Sequence, residues 1–463
     1  MTAGRARLVA LIVAGAFFME FLDGTVIATA LPAMARDFAV PTVSLSIGIS
    51  AYLLMLAVFI PVSGWVADRY GTRSVFMSAI IVFTGASALC GVCDGLWPFV
   101  AARVLQGIGG AMMVPVGRLT VLRTTEKRDL VGAIALLTWP ALAAPILGPV
   151  VGGFLTTYAS WRWIFYINLP LGLAAIAMAR AFVPNLMSTE RRPFDLPGFV
   201  LSGVALAMFM EGLELTGQGG APWLFAAGLL VGGLALGVVA VRHAQRAKAP
   251  MLDLWALRVP TFAAVLGGGS VFRLTISAVP FLLPLMFQVG FGLDAFHSGL
   301  LVLATFLGNL GMKPMTTAIL RRWGFRNVGL VTGVLAALML LACAMLYPST
   351  PVALTVAVLF AGGLARSMQF SVLNTLAFAD VPAARMSGAS SLASVAQQMA
   401  IGMGVAVGAA GLHLAAAVRG GGALALVDFH VAFVMIGVLT LAGLPTFVRL
   451  PVEAGAEVSG HRV

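Results

Sequence analysis

Residues Gly64–Phe76 read GWVADRYGTRSVF, and a shorter version of the same pattern, RRWGFR, stands at Arg321–Arg326. Both copies run basic, aromatic, Gly, any residue, Arg: Arg69-Tyr70-Gly71-Thr72-Arg73 and Arg322-Trp323-Gly324-Phe325-Arg326. Each is a short polar turn between two long apolar runs. A turn repeated at corresponding places in a chain of apolar runs points to two parallel halves related by an axis along the membrane normal.

The composition agrees with a membrane setting. The chain is 60% hydrophobic and 10% charged, with a mean hydropathy of +1.02, whereas a soluble domain carries about 25% charged residues. A span needs about 20 apolar residues to cross about 30 Å of hydrocarbon. Such windows fall at about 8–31, 44–66, 74–93, 97–121, 131–155, 162–183, 196–215, 222–241, 260–289, 296–319, 327–347, 351–378, 386–417 and 428–449. The expected fold class is therefore an all-α membrane protein of fourteen transmembrane helices, with a six-helix half at 1–185, two inserted helices and their linkers at 186–258, a second six-helix half at 259–452 and a tail at 453–463. Continuous runs of this length exclude a β-barrel, whose strands give weak ten-residue alternations. The short connections leave no room for a soluble enzymatic domain.

The net charge of +11 is explained by where the charges fall, without nucleic acid. With the N-terminus inside, the basic residues of the connections gather on one side, and Arg36, Arg162 and Arg419 alone lie on the other. That bias predicts both termini in the cytoplasm of an inner membrane. Arg5 and Arg7 before an apolar stretch imitate a signal peptide, but Glu20 and Asp23 interrupt the run, which favours a retained first helix. The three cysteines define no disulfide framework, and Cys90-Gly-Val-Cys93 is a lone pair with no second pair to build a zinc site, so no metal is expected. Without a GxxxxGK[ST] loop, neither ATP nor any other cofactor is implied.

Charges inside spans are costly and mark functional sites. Asp23 lies about eight residues from the outer end of the first helix and Arg103 about six residues into the fourth from the same side, so their depths agree at 1.5 Å per residue. A carboxylate in low dielectric resists ionisation while a nearby cation favours it, and a group balanced between the two can bind and release a proton. A static ion pair that fixes packing is the alternative. Glu20, one turn earlier, is a second candidate for the proton. In the Gly64–Phe76 loop, Gly64 and Gly71 permit close helix ends, Asp68 can accept from a facing arginine or helix N-terminus, and Arg69 and Arg73 reach the headgroups; topology alone would explain the arginines but not the aspartate. The fifth helix holds Pro145, Gly148, Pro149, Gly152 and Gly153, a small-residue face on a bendable span.

In the second half, Arg273 and Arg366 stand about a dozen residues from a membrane face with no acid in helices nine to thirteen placed to match them. Two unmatched midplane cations suggest an organic anion, such as a di- or tricarboxylate. Gln288, Asn309, Gln369, Asn374 and Gln397 are candidates to complete a polar cavity, each with plain interhelical hydrogen bonding as its alternative.

Taken together, GWVADRYGTRSVF, FLDGTVIATALP in the first helix, RVLQGIGGAMMVPVGRLTVL in the fourth, LGPVVGGFL in the fifth, SWRWIFYINLPLG opening the sixth and FDLPGF entering the seventh resemble the major facilitator superfamily, and within it the fourteen-helix drug:proton antiporters. The resemblance runs from about residue 15 to 450. It implies a proton-coupled secondary transporter that exports small molecules, with lipid, protons and substrate as partners and a monomer as the unit. It carries the acidic position to Asp23 and the motif arginine to Arg103, but not Glu20. It assigns Asp68 a part in locking the two halves outward-open and the glycine-rich fifth helix a coupling role. Relatives that expel cationic drugs have acids in helix thirteen; here that region reads Ser394-Val-Ala-Gln397-Gln398. A receptor or scaffold on the same fold would bind substrate without flux.

Overall fold

The computed structural model describes residues 3–125, 130–187, 193–218, 223–247, 250–252, 254–382, 385–451 and 453–455. The basic residues Lys127, Arg128, Arg191, Arg192, Lys248 and Arg462, and most of the expected tail, lie outside them. The elements among the described residues are helices, with no strand among them. In order the helices are α1 (Ala3–Phe38), α2 (Ser46–Tyr70), α3 (Thr72–Val92), α4 (Leu96–Thr124), α5 (Leu130–Tyr158), the short α6 (Trp163–Tyr166), α7 (Asn168–Phe182), α8 (Leu196–Gln218), α9 (Trp223–Arg246), α10 (Pro260–Leu266), α11 (Gly268–Leu285), α12 (Ala295–Cys343), α13 (Val352–Ala379), α14 (Met386–Val418), α15 (Leu426–Leu441) and α16 (Leu444–Val448). Among the described residues, 12 helical stretches are long and apolar enough to cross a membrane.

The two repeated turns adopt related geometry. Gly71 ends α2 with φ 89° and ψ 142°, and Gly324 interrupts α12 with φ 69° and ψ 167°. Only glycine takes up this conformation without strain, because a Cβ would crowd the neighbouring carbonyl. Gly324 thus divides α12 where the apolar pattern places a connection between two spans. The shared break, at the same point of two related motifs, is the structural counterpart of the sequence repeat.

Local irregularities follow from proline. Pro280 and Pro284 each remove a backbone hydrogen bond from α11, and the helix finishes as a π-turn over Met286–Gly290. Asp294 stands just before α12, and its Oδ1 accepts from the His297 N–H at 2.7 Å. That backbone hydrogen bond holds the Asp294 carboxyl below the ordinary carboxylate range.

The chain divides into two compact units, Met1–Phe199 with Asp294–Gly299, and Val200–Leu293 with Leu300–Val463. The inserted helices α8 and α9 fall almost entirely in the second unit. The first unit packs around Phe17, Phe76 and Phe83, from α1 and α3, with Val116 of α4. The second packs around Phe262, Phe272, Phe325 and Phe447. Each core is built of large side chains from helices distant in sequence, so each positions its own polar residues.

Candidate functional site

In the first unit the polar residues of α1, α3, α4 and α7 converge. Arg103 Nη1 lies 2.7 Å from Asp23 Oδ2, with side-chain exposures of 1% and 0%. The second carboxylate oxygen of Asp23 accepts from Gln106 Nε2 at 2.8 Å and from Asn168 Nδ2 at 3.0 Å. Gln106 also donates to Ser87 Oγ at 2.8 Å, and its Oε1 accepts from Arg103 Nη1. The guanidinium lies over the Tyr52 ring, 4.2 Å from the centroid. A fully buried charged pair is tolerated only when its remaining hydrogen-bonding capacity is used, and here it is.

Glu20 is buried near this network, but its Oε2 has no hydrogen-bond partner among the described residues. Tyr52, Ser87, Gln106 and Asn168 were not singled out by the sequence. Gln106 was detectable in principle, since it follows Arg103 by three residues and so shares its helix face. Asn168 is an isolated amide in an apolar segment, and no local spacing connects it to Asp23.

The Gly64–Phe76 loop forms a second assembly. Asp68 Oδ1 accepts from Arg123 Nη2 at the end of α4, at 2.7 Å. Arg69 lies over the Trp65 ring at 6.0 Å. α3 begins without a capping side chain of its own; Asn185, beyond α7, supplies one, its Oδ1 accepting from the backbone N–H of Arg73 at 3.1 Å and of Ser74 at 3.3 Å. The Thr72 N–H donates to the Leu186 carbonyl at 3.0 Å. Gly71 is needed here for space as well as for φ, because a Cβ would fall on the Asn185 side chain. Gly64 corrects the expectation of a close helix contact: it is exposed, and a Cβ there would meet nothing within 4 Å.

The small-residue face of α5 lies directly on α1. A Cβ at Gly148 would strike the Thr25 side chain, and one at Gly152 the Val26 carbonyl and Thr29. Thr25, two residues past Asp23, donates to the Ala144 carbonyl at 3.3 Å. Gly153 faces the backbone of Ala295 and Phe296 in the same unit. Pro149 is buried, and the side chain of Pro145 lies outside the described residues.

At the helix ends of this unit, Arg162 joins three connections. Its guanidinium bonds Asp37 at 2.8 Å and Asp94 at 3.0 Å, and Asp37 also accepts from Trp161 Nε1 at 2.7 Å. Burial works against the Arg162 charge, but the two carboxylates hold its guanidinium above the ordinary arginine range.

In the second unit the candidates divide among several contacts. Arg273 donates to Gln397 Oε1 at 2.7 Å and to Asn374 Oδ1 at 2.8 Å, so three of the seven meet. Gln369 instead accepts from Thr332 at 2.6 Å. Arg366 sits between the rings of Phe306 and Phe370, at 5.9 and 5.7 Å, and shares no hydrogen-bond partner with Arg273. Gln288 belongs to the π-turn, while Asn309 lies at the crossing of α12 and α13 beside Gly363. Arg273 and Arg366 thus have different immediate neighbours, since equal depth along two helices leaves rotation about the helix axes undetermined.

A multi-pass helical membrane protein with an internal repeat and a buried acid–arginine pair is the class that these features define. The profile of the Major Facilitator Superfamily matches residues 13–405. The chain belongs to this superfamily of transporters. It is 38% identical over 402 residues, 86% of this chain and 84% of the relative, to the "Putative multidrug resistance protein MdtD" of Salmonella paratyphi A. Among solved structures, it superposes on the POT family transporter PepTSo with a TM-score of 0.71 at 12% identity, over 98% of each chain. The auto-inhibited POT family peptide transporter gives a TM-score of 0.68 at 14% identity, over 96% of this chain and 97% of that one. These two likenesses concern the fold.

Proposed function

We propose that the protein is a proton-coupled exporter of the inner membrane, with fourteen spans and cytoplasmic termini, working as a monomer by alternating access. The observation that carries this reading is the Asp23 carboxylate, buried and held by Arg103, Gln106 and Asn168. A proton arriving at Asp23 removes the negative charge that faces Arg103. The guanidinium keeps its contacts with Gln106 and Tyr52 but loses its counter-ion, so the packing of α1 on α4 changes in energy. Thr25 and the glycine face of α5 lie next along the chain and receive that change. A change of charge that favours one of two arrangements shifts their populations by its differential interaction energy. The Asp68–Arg123 pair is a contact suited to stabilising one of those arrangements.

The substrate class is small lipophilic compounds, a reading supported by the name of the relatives. The test is transport in proteoliposomes under an imposed pH gradient. Asp23→Asn is expected to abolish proton-driven flux while binding survives; wild-type flux in this variant would overturn the coupling assignment. Organic-anion export is a second reading, favoured by one observation: Arg273 has neutral amide carbonyls as its hydrogen-bond partners among the described residues. Binding of di- and tricarboxylates that is lost in Arg273→Gln would support it. Arginine-independent binding of lipophilic cations would eliminate it.

A further inference from the structure

The second unit holds a charge that the transport mechanism does not use. α13 crosses α12 at Gly363, where a Cβ would fall on the Thr305 carbonyl, and Gly308 meets the Phe360 carbonyl in the same way. One turn on, Arg366 lines a cavity of about 40 Å³ whose other walls are mainly apolar, among them Ile276, Val279, Leu283 and Leu340, with the Thr305 hydroxyl and the weakly donating Cys343 thiol as its other side-chain donors. Nε and Nη1 of Arg366 and Oγ1 of Thr305 are all buried, and none has a hydrogen-bond partner among the described residues. The flanking Phe306 and Phe370 rings attract the cation but cannot accept its in-plane N–H groups.

No acid lines the cavity. Elsewhere in the unit, Asp380 accepts from Thr261 and Asp428 is paired with Arg419. Arg366 as a whole is half-buried, but its Nε–H and Nη1–H edge is fully buried, and that edge calls for acceptors and favours a compensating charge. A water would supply the first and not the second. The cavity holds only a few water-sized particles, so a di- or tricarboxylate is too large.

We propose that Arg366 and Thr305 bind a monatomic anion, a halide such as chloride, as the counter-ion of this unit. The ion accepts from Arg366 Nε–H and Nη1–H and from the Thr305 hydroxyl, between walls that are otherwise mainly apolar. The site is independent of the proton-coupling reading, because it requires neither Asp23 nor flux.

The test uses the purified full-length protein in detergent, with thermal unfolding followed at constant ionic strength as gluconate is replaced by chloride or bromide. The expected result is a saturable rise in Tm with either halide, absent in Arg366→Gln. In Thr305→Val the midpoint should move to about tenfold higher halide, the effect of one lost hydrogen bond to a charged group. Identical Tm curves in gluconate, chloride and bromide would overturn the proposal and leave water as the occupant, as would a halide response retained in Arg366→Gln. If Arg366→Gln does not fold, the Thr305→Val midpoint and the anomalous signal of bromide-grown crystals decide. A bromide peak in contact with Arg366 supports the site, and its absence there rejects it.

Discussion

The two units of this transporter treat buried charge in opposite ways. In the first, Asp23 and Arg103 face each other at 2.7 Å with Gln106, Asn168 and Ser87 completing the network. In the second, Arg273 is hydrogen-bonded to two neutral amides, and Arg366 is left with buried N–H groups that no described residue accepts. The motif loops differ in the same sense: the position of Asp68 in the first copy is occupied by Arg321 in the second. A balanced pair can be switched by one proton, since neutralising either member leaves the other exposed to low dielectric. A cation without an acid cannot be switched that way and instead recruits an anion from outside the chain. Related halves can therefore divide the labour, one responding to protons and the other to negative charge.

The largest expected effect tests this contrast directly. Arg103→Leu leaves the Asp23 carboxylate buried without its cation, and breaking a buried pair on one side costs about 3–5 kcal/mol. Arg273→Leu leaves the carbonyls of Gln397 and Asn374 unpaired, but Asn374 is exposed and Gln397 half-buried, so water can replace the guanidinium and the cost is smaller. Chemical unfolding of both variants in detergent should rank them in that order. The double variant Asp23→Asn with Arg103→Gln should recover part of the loss, because no uncompensated charge remains. Equal destabilisation by the two leucine variants would mean that the halves do not differ as described.

How far these features could be read in advance depended on the kind of information each required. The helical membrane class, the repeat and the matched depth of Asp23 and Arg103 are properties along the helix axis, and apolar run lengths report that axis well. Rotation about the axis is a different matter. Arg273 and Arg366 share a depth yet have separate surroundings, since each helix is set by the fit of residues such as Phe272 and Gly363. Long-range partners were equally hidden: Arg123 finds Asp68 across 55 residues and Asn185 caps α3 across 112. Nothing in the local pattern of either segment contains that pairing. Gly64 shows the reverse error, a glycine whose motif suggests contact but whose surface is open.

The glycine breaks sharpen the comparison between the two loops at an intermediate magnitude. Placing a Cβ in the conformation of Gly71 or Gly324 costs about 1–3 kcal/mol of backbone strain. At Gly71 the Cβ also displaces Asn185, so the caps on Arg73 and Ser74 are lost together with the turn. Gly71→Ala should therefore lower Tm more than Asn185→Ala, which removes the caps alone and should cost about 0.5–2 kcal/mol, the range for a lost helix cap. If Gly71→Ala and Asn185→Ala are equivalent, the positive φ of the glycine break contributes nothing to the loop.

The smallest effect on stability is expected where the effect on conformation is the question. Asp68 and Arg123 are partly exposed, with side-chain exposures of 41% and 33%, and pairs of this kind contribute about 0–1 kcal/mol. Asp68→Asn should consequently unfold within about 1 kcal/mol of the wild type. Yet a fraction of a kcal/mol is enough to change the ratio of two nearly equal states severalfold, since about 1.4 kcal/mol is a factor of ten. Spin labels on the two halves should then report a redistribution between distance populations in Asp68→Asn, and Arg123→Gln should produce the same redistribution because it breaks the same contact. Arg321→Gln, at the matching position of the second copy, is the comparison, because it changes loop charge without breaking the Asp68–Arg123 contact. A shift caused equally by all three substitutions would assign the effect to loop charge in general and remove the distinction between the acidic and the basic copy.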